Sequence, residues 1–394
     1  MRVELQDRVL TIWLEGRIDA TNASSTEKQL LGAFEPSAID RIVLDFKDVE
    51  YIASAGLRVA LRLLKRLGDV TVINASQAVY DVFEMTGFTQ FMKVLRRPRH
   101  IELEGLQVIG AGAFGRVYRI DAERVAKVYD ATAFSLERIE REREVARQAF
   151  VHGIPSAIPF ETVSAGEERG VVYELIDART IGETVSADPS SCETWARRMA
   201  ELARHMADTV FAEGVLPDAR LVFHGWVDRA EASGLHDASV IASLRAFVDA
   251  IPDAETFVHG DFHPANVMVM PDGELLLIDM ADASVGHPAI DLGGAYHVMR
   301  VAARRPGGAQ RLCGMAPELL DKFWDAFVRE RYGLGSDAAV AEVERNLALA
   351  ALPRTMGSNA RSKLIDDATR AAKARELEQA FAEGAGSVRW DLLA

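Results

Sequence analysis

The first 95 residues combine short apolar runs with one strongly amphipathic stretch. The runs RIVLDF (41–46) and VTVI (70–73) have the continuous, β-rich composition of strands buried on both faces. Between them, Leu57, Leu61 and Leu64 fall on one helical stripe that a glycine closes. This order predicts a strand–helix–strand unit within a small mixed sheet. We predict the other strands at residues 2–5, 9–14 and 91–94, and further helices at residues 21–34 and 77–85.

A second pattern begins near residue 101, after the basic stretch RRPRH. Its early part is rich in strands, and helical stripes dominate after about Thr194, apart from one β-rich island at residues 257–278. We therefore predict a domain at residues 1–95, a linker at residues 96–104 and a two-lobed domain at residues 105–394, with lobes 105–176 and 177–394. The clearest helical stripe consists of Leu320, Phe323, Trp324, Phe327 and Val328.

Length and composition indicate a folded protein with more than one core. The 394 residues exceed the common domain length of about 100–150 residues. The longest apolar runs fall short of the ~20 residues that cross a bilayer, and the opening MRVELQDRVL lacks the apolar centre of a signal peptide. We expect a cytoplasmic protein without a membrane span. Cys192 and Cys313 occur in no metal-binding pattern and are expected to be buried small hydrophobes.

Charge divides the chain unequally. Residues 1–99 carry 14 basic and 13 acidic side chains, a net charge of +1, which leaves −15 for the remainder. A strongly acidic larger part disfavours nonspecific binding of nucleic acid and favours cationic or metal-bound ligands. The simpler interpretation, that the acidity only keeps the protein in solution, stays open.

A glycine-rich segment follows the strand predicted at residues 106–108. Its sequence GAGAFGRV has the spacing G-x-G-x-x-G-x-V, and strands predicted next, at residues 117–120 and 124–129, indicate a β-hairpin rather than the start of a helix. The backbone N–H groups of such a hairpin can approach phosphates, and a lysine on the following strand can reach them too. The candidate nucleotide-binding residues here are Gly110, Gly112, Phe114, Gly115, Val117 and Lys127.

A lysine in this role needs an acidic partner, and the helix predicted at residues 137–150 offers two. Glu142 lies on the inward stripe of that helix, whereas Glu144 is rotated away. Glu142 is therefore the preferred partner and Glu144 the reserve. A solvated helix without any special glutamate is the simpler alternative. The inward stripe consists of Ile139, Ala146, Ala149 and Phe150.

The segment FVHGDFHPAN (257–266) carries the strongest local signal. Asp261, with Asn266 five residues later and Asp279 after a predicted hairpin, gives the arrangement that phosphoryl transfer needs. Asp261 would accept the proton of a hydroxyl group. Oxygen atoms of Asn266 and Asp279 would hold Mg²⁺ against the β- and γ-phosphates.

The same segment admits a second interpretation. His259, Asp261 and His263 alternate as they would on one face of a strand, which could bring three ligands to zinc or iron for metal-assisted hydrolysis. That interpretation leaves the glycine-rich hairpin and Asp279 without a role. Pro264 also indicates a loop by His263.

Together, GAGAFGRV, VAK, HGDFHPAN and IDMADASVGHPAIDLG resemble the protein-kinase-like superfamily, in detail its aminoglycoside phosphotransferase and choline kinase branch, over residues 105–335. The resemblance implies a two-lobed α+β kinase fold with a largely helical C-lobe, and ATP and Mg²⁺ as cofactors. It implies that YELI (173–176) is the hinge, whose backbone at Glu174 and Ile176 binds adenine. It also implies that Asp291 supports the catalytic loop and that Asp282 lies near the metal.

The stretch from residue 42 to residue 88, within residues 1–95, resembles a STAS domain, the α/β fold of anti-sigma-factor antagonists. In that family a serine at the start of the second helix is a phosphorylation switch, and the matching residue is Ser54. Here Ala53 and Ala55 flank it, where the family has D-S-[ST]-G. A helix N-terminus suits a phosphate, although an N-cap role would also explain the serine.

We therefore expect an ATP- and Mg²⁺-dependent phosphotransferase that acts on a hydroxyl group of a small acceptor, for which the acidic C-lobe favours a cation. The STAS-like domain would regulate it or dock a protein partner, and no nucleic acid partner is expected. Two alternatives remain. One is a kinase that acts on a STAS serine, and the other is a nucleotide-binding regulator without turnover, which the presence of Lys127, Asp261, Asn266 and Asp279 disfavours.

Overall fold

The structure is a computed structural model that describes residues 1–32, 39–111, 115–130, 135–360 and 366–394. The chain forms two compact units. The first comprises residues 1–120, 125–141 and 161–172. The second comprises residues 121–124, 142–160 and 173–394.

A five-stranded sheet with three helices occupies the N-terminal part of the first unit. Its strands are β1 (Arg2–Gln6), β2 (Val9–Ile18), β3 (Arg41–Ile52), β4 (Val70–Ala75) and β5 (Lys93–Arg96), and its helices are α1 (Ala23–Gly32), α2 (Ser54–Leu67) and α3 (Gln77–Met85). The strands lie in the order β1-β2-β3-β4-β5, with β1 antiparallel to β2 and the others parallel. This arrangement confirms the mixed α/β sheet that the sequence predicts.

Helix α2 packs with a face that differs from the predicted stripe. Leu63 is fully buried, whereas Leu61 and Leu64 are only half-buried. Gly56 explains the difference, because a side chain there would come within 2.7 Å of Ile52. The glycine brings the first turn of α2 against β3, and this close approach turns the face of Leu63 toward the sheet.

Ser54 is the first residue of α2, and Ala53 occupies the N-cap position. The helix therefore begins without a side-chain cap, and the Ser54 side chain is exposed. The interpretation of Ser54 as an N-cap is wrong. By contrast, Ser76 does cap α3, since its hydroxyl oxygen accepts a hydrogen bond from the Val79 N–H at 3.4 Å.

The second sheet has six strands. They are β6 (Arg99–His100), β7 (Gln107–Ala111), β8 (Gly115–Arg119), β9 (Arg124–Tyr129), β10 (Pro159–Ala165) and β11 (Glu168–Glu174), in the order β6-β10-β11-β9-β8-β7. The antiparallel pairing of β7, β8 and β9 matches the predicted hairpin and following strand. Strand β6 lies inside the predicted linker and pairs with β10 through Arg99, so the chain enters the second sheet directly after β5.

Helix α4 (Leu136–Val151) follows β9. Ile139, Ala146 and Ala149 are fully buried as the stripe predicts, but Phe150 is 42% exposed. The expectation for Phe150 is wrong because it lies in the last turn, where Val151 is exposed as well.

Helices dominate the second unit, as predicted for a C-lobe. They are α5 (Ile181–Ala187), α6 (Cys192–Asp208), α7 (Ala219–Ala232), α8 (Ala238–Asp249), α9 (Ala289–Tyr296), α10 (Gly308–Cys313), α11 (Pro317–Tyr332), α12 (Asp337–Ala350), α13 (Leu352–Ala360) and α14 (Asp367–Gly384). The short strands are β12 (Arg179–Thr180), β13 (Phe257–Val258), β14 (Val267–Val269), β15 (Leu275–Leu277) and β16 (Ser284–Val285). The predicted stripe of α11 is buried.

Two smaller expectations concern cysteines and the membrane. Cys192 and Cys313 are both buried free thiols, as predicted. Burial raises the pKa of Cys313 to about 12, so it remains an uncharged thiol. Within the ranges that the structure describes, every helix is too short or too polar to cross a membrane.

Candidate active site

The glycine-rich hairpin aligns the predicted phosphate-binding residues in register. Gly110 on β7 lies opposite Val117 on β8, which in turn lies opposite Lys127 on β9. Directly opposed residues of antiparallel strands share one face, so these three belong to the same face of the sheet. Gly115 approaches the β9 backbone so closely that a Cβ would lie 2.2 Å from the Val128 carbonyl oxygen. The other two predicted residues, Gly112 and Phe114, lie outside the described residues.

The acidic residues of α4 have different environments. Glu142 is buried, and one of its carboxylate oxygens accepts a hydrogen bond from the Tyr173 hydroxyl at 3.3 Å. Glu144 is instead partly exposed, and its carboxylate accepts a hydrogen bond from Arg147 at 2.6 Å. The hydrogen bond from Arg147 lowers the pKa of Glu144. These environments favour Glu142 over Glu144 as the partner of Lys127, and that pairing stays a prediction.

The predicted hinge begins at the end of β11. The Glu174 N–H donates to the Ile158 carbonyl at 3.0 Å, and the Leu175 N–H donates to the Glu123 carbonyl at 2.7 Å. The Glu174 carboxylate also accepts from the Ile158 N–H at 2.8 Å. The adenine-binding role of the backbone at Glu174 and Ile176 stays a prediction.

A buried carboxylate fixes the start of the loop that follows β13. Asp291, near the N-terminus of α9, is 4% exposed. Its two oxygens accept hydrogen bonds from the backbone N–H groups of His259 at 2.6 Å and Gly260 at 2.7 Å. Burial raises the pKa of Asp291, and the two backbone donors oppose that shift. The contact agrees with the supporting role that the kinase resemblance implies for this residue.

His259 ties the same loop to the segment before Asp279. Its Nε2 donates to the Ile278 carbonyl at 3.0 Å, and its Nδ1 accepts from the Asp261 N–H at 3.2 Å. Both ring nitrogens are thus used inside the fold, and β13 ends at Val258. The interpretation of His259, Asp261 and His263 as metal ligands on a strand is therefore wrong.

Gly260 is the residue that lets this loop turn. Its φ is +83°, and a Cβ at this position would lie 2.6 Å from the backbone oxygen of Asp282. A larger residue would meet both a backbone conformation that favours glycine and a backbone atom that cannot move aside. The glycine in HGD therefore sets the distance between the Asp261 loop and the segment of Asp282.

Asp261 and Asn266 are joined directly. The Asn266 amide nitrogen donates to the Asp261 carbonyl at 2.9 Å and to its carboxylate at 3.1 Å. Because both of these groups only accept hydrogen bonds, the amide nitrogen must face Asp261 and the amide oxygen must face away. His263 Nε2 lies 3.4 Å from the same carboxylate. The loop thus presents one carboxylate and one amide oxygen in fixed orientations.

Asp279 lies two residues after β15 and is exposed. Its φ of +63° is in the left-handed region, which an aspartate adopts only with a conformational cost. The preceding residue is anchored, since the Ile278 N–H donates to the Asn266 carbonyl at 3.0 Å. The backbone therefore places Asp279 directly after a residue bonded to Asn266.

The carboxylates of this region influence one another. Burial, followed by the negative charge of Asp261 and then that of Asp279, raises the pKa of Asp282. These three side chains therefore form one acidic cluster. Such a cluster attracts cations and metal-bound phosphates.

Sequence reasoning missed one residue of the site, Arg354 on α13. Its guanidinium donates to the Gly260 carbonyl at 2.8 Å and to the Asp261 carboxylate. Burial alone would raise the pKa of Asp261, yet the charges of Arg354 and His263 hold it well below its usual range. A signal was present, because Arg354 is the single charged residue between Asn346 and Ala360, and a buried charge needs a partner.

Sequence models of two known families match this chain. The sequence model of the phosphotransferase enzyme family matches residues 105–329, more than half of the chain, and that of the STAS domain matches residues 1–100. The chain therefore belongs to the phosphotransferase enzyme family. It is a phosphotransferase that carries an N-terminal STAS domain.

Individual proteins resemble one part or the other. BtrV of Bordetella bronchiseptica, named as an anti-sigma factor antagonist, is 34% identical over 92 residues, which cover 22% of this chain and 78% of that protein. A crystal structure of an aminoglycoside-3'-phosphotransferase of type VIII is 21% identical, with a TM-score of 0.46, and covers 64% of this chain and 93% of its own. A Thermotoga maritima protein described as an anti-sigma factor antagonist is 22% identical, with a TM-score of 0.23, and covers 24% and 84%.

The positive φ of Gly260 and its close approach to Asp282 yield a prediction about the loop. Gly260→Ala should reduce the free energy of unfolding more than Gly214→Ala. Gly214 has a similar φ of +79° but nothing within 4 Å of an added Cβ. We expect the control to cost about 1–2 kcal/mol for its backbone conformation and Gly260→Ala about 1–3 kcal/mol more for the collision. Urea unfolding of both full-length variants measures this difference, and equal losses would contradict the close approach to Asp282.

Proposed function

We propose that this phosphotransferase transfers the γ-phosphate of ATP, with Mg²⁺, to a hydroxyl group of a small acceptor. The observation that carries the proposal is the junction of Asp261 and Asn266, with Asp279 anchored to it through Ile278. The negative charge of −15 outside the first 99 residues favours a cationic acceptor.

The atoms and charges of the proposed transfer balance with the residues of this loop. The acceptor oxygen bonds to the γ-phosphorus while the bond from that phosphorus to the bridging oxygen of ADP breaks. ADP leaves with the electron pair of that bond, and the hydroxyl proton passes to the Asp261 carboxylate. Because phosphoryl transfer depends mainly on positioning and charge, the chief task of Asp261 is to orient the hydroxyl group.

The residues present fit a magnesium ion. Mg²⁺ prefers oxygen ligands and is commonly held by one or two carboxylates together with substrate phosphates. The amide oxygen of Asn266, turned away from Asp261, and the carboxylate of Asp279 would be the protein ligands. When bound, the ion would neutralise charge on the β- and γ-phosphates. Among the described residues, no cluster of three or more His, Cys, Asp or Glu is arranged to hold a metal. A site in which phosphates supply further ligands does not need such a cluster.

The remaining predicted residues would bind the nucleotide. The backbone of the glycine-rich hairpin, at Gly110 and Gly115, would approach the phosphates, with Lys127 as their cation and Glu142 as the partner of that lysine. The carbonyl of Glu174 and the N–H of Ile176 would bind adenine. The supporting observations are the shared register of the hairpin and Lys127, and the burial of Glu142.

The division of labour between the two aspartates is testable. Asp261→Asn should lower turnover by ~10² or more, the usual loss for a positioned base, and leave Mg²⁺-ATP affinity within a few-fold. Asp279→Ala should instead weaken Mg²⁺-ATP binding. Exposed Asp272, which accepts the Glu274 N–H within its own turn, provides the control variant Asp272→Asn. ADP release and calorimetric titration with Mg²⁺-ATP measure both quantities.

Two outcomes would contradict the residue roles, and a third would favour another function. Wild-type turnover in Asp261→Asn would exclude Asp261 as the group that accepts the hydroxyl proton. Undiminished Mg²⁺-ATP binding in Asp279→Ala would exclude it as a metal ligand. Binding of Mg²⁺-ATP by the wild type, with no transfer to any acceptor or to water, would favour the nucleotide-binding regulator.

A second function is favoured by the environment of Ser54. This serine is exposed at the N-terminus of α2 and has no capping role, so its hydroxyl group is accessible to a kinase. Because Ser54 lies on the same polypeptide as the kinase site, its effective concentration at that site is high when the geometry permits contact. Phosphate there would add about −1.5 to −2 charge at a helix N-terminus, where negative charge is tolerated.

Mass spectrometry of the full chain after incubation with Mg²⁺-ATP tests this second function. It predicts phosphate on Ser54, lost in Ser54→Ala and in Asp261→Asn. Ser76 is the internal control, since it also begins a helix but uses its hydroxyl group to cap it. Turnover of a small acceptor with no phosphate on Ser54 would contradict the second function and leave the first.

The STAS domain would also regulate the kinase through α4. Within the first unit, the guanidinium of Arg41 on β3 donates to the Thr71 hydroxyl at 2.8 Å and to the carboxylate of Glu137. Glu137 lies in the first turn of α4, the helix that carries Glu142. The pair is partly buried, with 26% and 18% of the side chains exposed. We propose that this contact couples a domain at residues 1–95 to a kinase domain at residues 105–394, beyond the short linker.

Removing this contact should alter nucleotide use. Arg41→Ala should change the KM for Mg²⁺-ATP about five-fold or more, the lower end of typical coupling between sites. Arg8→Ala serves as the control, because the Arg8–Asp40 salt bridge lies within the STAS domain at its exposed surface. Steady-state kinetics of the two full-length variants measures the effect, and equal KM values in Arg41→Ala and wild type would exclude regulation through this contact.

A further inference from the structure

Arg354 lies outside residues 105–329, the part matched to the phosphotransferase enzyme family. It belongs to α13, a segment whose other residues are uncharged. Its side chain is only 9% exposed. A buried arginine in an otherwise uncharged helix is costly unless its charge is used.

The guanidinium is placed by several contacts. It lies 5.5 Å from the ring centre of Trp226, at cation–π distance. On another side, a Cβ on Gly294 would come within 2.8 Å of the terminal nitrogen that binds the Gly260 carbonyl. Its Nε has no hydrogen-bond partner among the described residues. The fork is therefore directed toward the Asp261 loop rather than spread over several partners.

We propose that Arg354 is a positioning residue that holds Asp261 in its reactive orientation by bridging the Asp261 carboxylate and the Gly260 carbonyl. The inference rests on the proposed function, in which Asp261 binds the acceptor hydroxyl. The proposal gives α13, which lies beyond the residues matched to the family, a role in phosphoryl transfer.

The bridge fixes the carboxylate at both oxygens. Arg354 binds Oδ1, while Oδ2 accepts from the Asn266 amide nitrogen at 3.1 Å. Rotation of the carboxylate would break both the bond from Arg354 and the bond from Asn266. The same guanidinium also binds the carbonyl of Gly260, so the arginine is itself held in place. A planar fork suits this double contact, and a lysine ammonium does not reproduce it.

The test measures ADP release from Mg²⁺-ATP by the full chain, with water as the acceptor. Arg354→Met should lower kcat about 10²-fold, as misplacement of a catalytic group does. Arg354→Lys should also leave kcat low, because an ammonium group keeps the charge but does not reproduce the double contact of the planar fork. The KM and the affinity for Mg²⁺-ATP should stay within a few-fold in both variants, since Arg354 acts on Asp261 and not on the nucleotide.

Arg345→Met is the matched control, because Arg345 is exposed on the neighbouring α12. A wild-type kcat in Arg354→Met would overturn the proposal. Unchanged turnover in Asp261→Asn would overturn the proposed function instead, so the two failures are distinguishable.

Thermal unfolding provides a readout that does not depend on turnover. Asp261→Asn, Arg354→Met and the double variant form a cycle, in which a real bridge makes the midpoint shifts of the two single variants non-additive. Additive shifts would overturn the proposal even if the protein hydrolysed no ATP. Non-additive shifts with a wild-type kcat in Arg354→Met would also overturn it, because they would show a structural contact without influence on transfer.

Discussion

The buried carboxylate of Asp291 holds the backbone on which the candidate site depends. It accepts two backbone N–H groups at the start of the Asp261 loop, at 2.6 and 2.7 Å. Such charge-assisted bonds in a buried place are strong and directional. They hold Gly260 in a conformation with φ of +83°. The next residue, Asp261, then lies within hydrogen-bond distance of the Asn266 amide. Every later contact of the site, including that of Arg354 with the Gly260 carbonyl, starts from this anchored turn.

Local signals made much of this arrangement predictable. Asp261 and Asn266 are five residues apart, and the loop that joins them is closed by hydrogen bonds between the same two residues. The hairpin with Lys127 was predictable for the same reason, since alternating strands and glycines encode it within 20 residues. Arg354 was not, because 93 residues separate it from Asp261. A single arginine in an uncharged helix indicates that a partner exists, but only the tertiary packing tells which carboxylate it is.

The STAS domain shows a different limit of sequence reasoning. The strand and helix order was predictable from apolar runs, yet a shift of one position changed the meaning of Ser54. As an N-cap its hydroxyl group would be occupied, whereas as the first helical residue it is exposed and unused. Helix boundaries are uncertain by one or two residues in any sequence pattern. Here that small uncertainty separates a structural serine from one accessible to a kinase.

The carboxylates of the acidic cluster have different electrostatic environments. Asp261, Asp279 and Asp282 repel one another, and this repulsion contributes to the raised pKa of Asp282. Asp261 escapes the effect because Arg354 and His263 lie against it. A strongly held, charged carboxylate is a weak base but a well-oriented hydrogen-bond acceptor, which is what a reaction governed by positioning requires. Asp279 is exposed instead, and in the proposed function its carboxylate would be a ligand of Mg²⁺. Under that proposal the two carboxylates would have different tasks, one orienting the acceptor hydroxyl group and the other binding the metal ion.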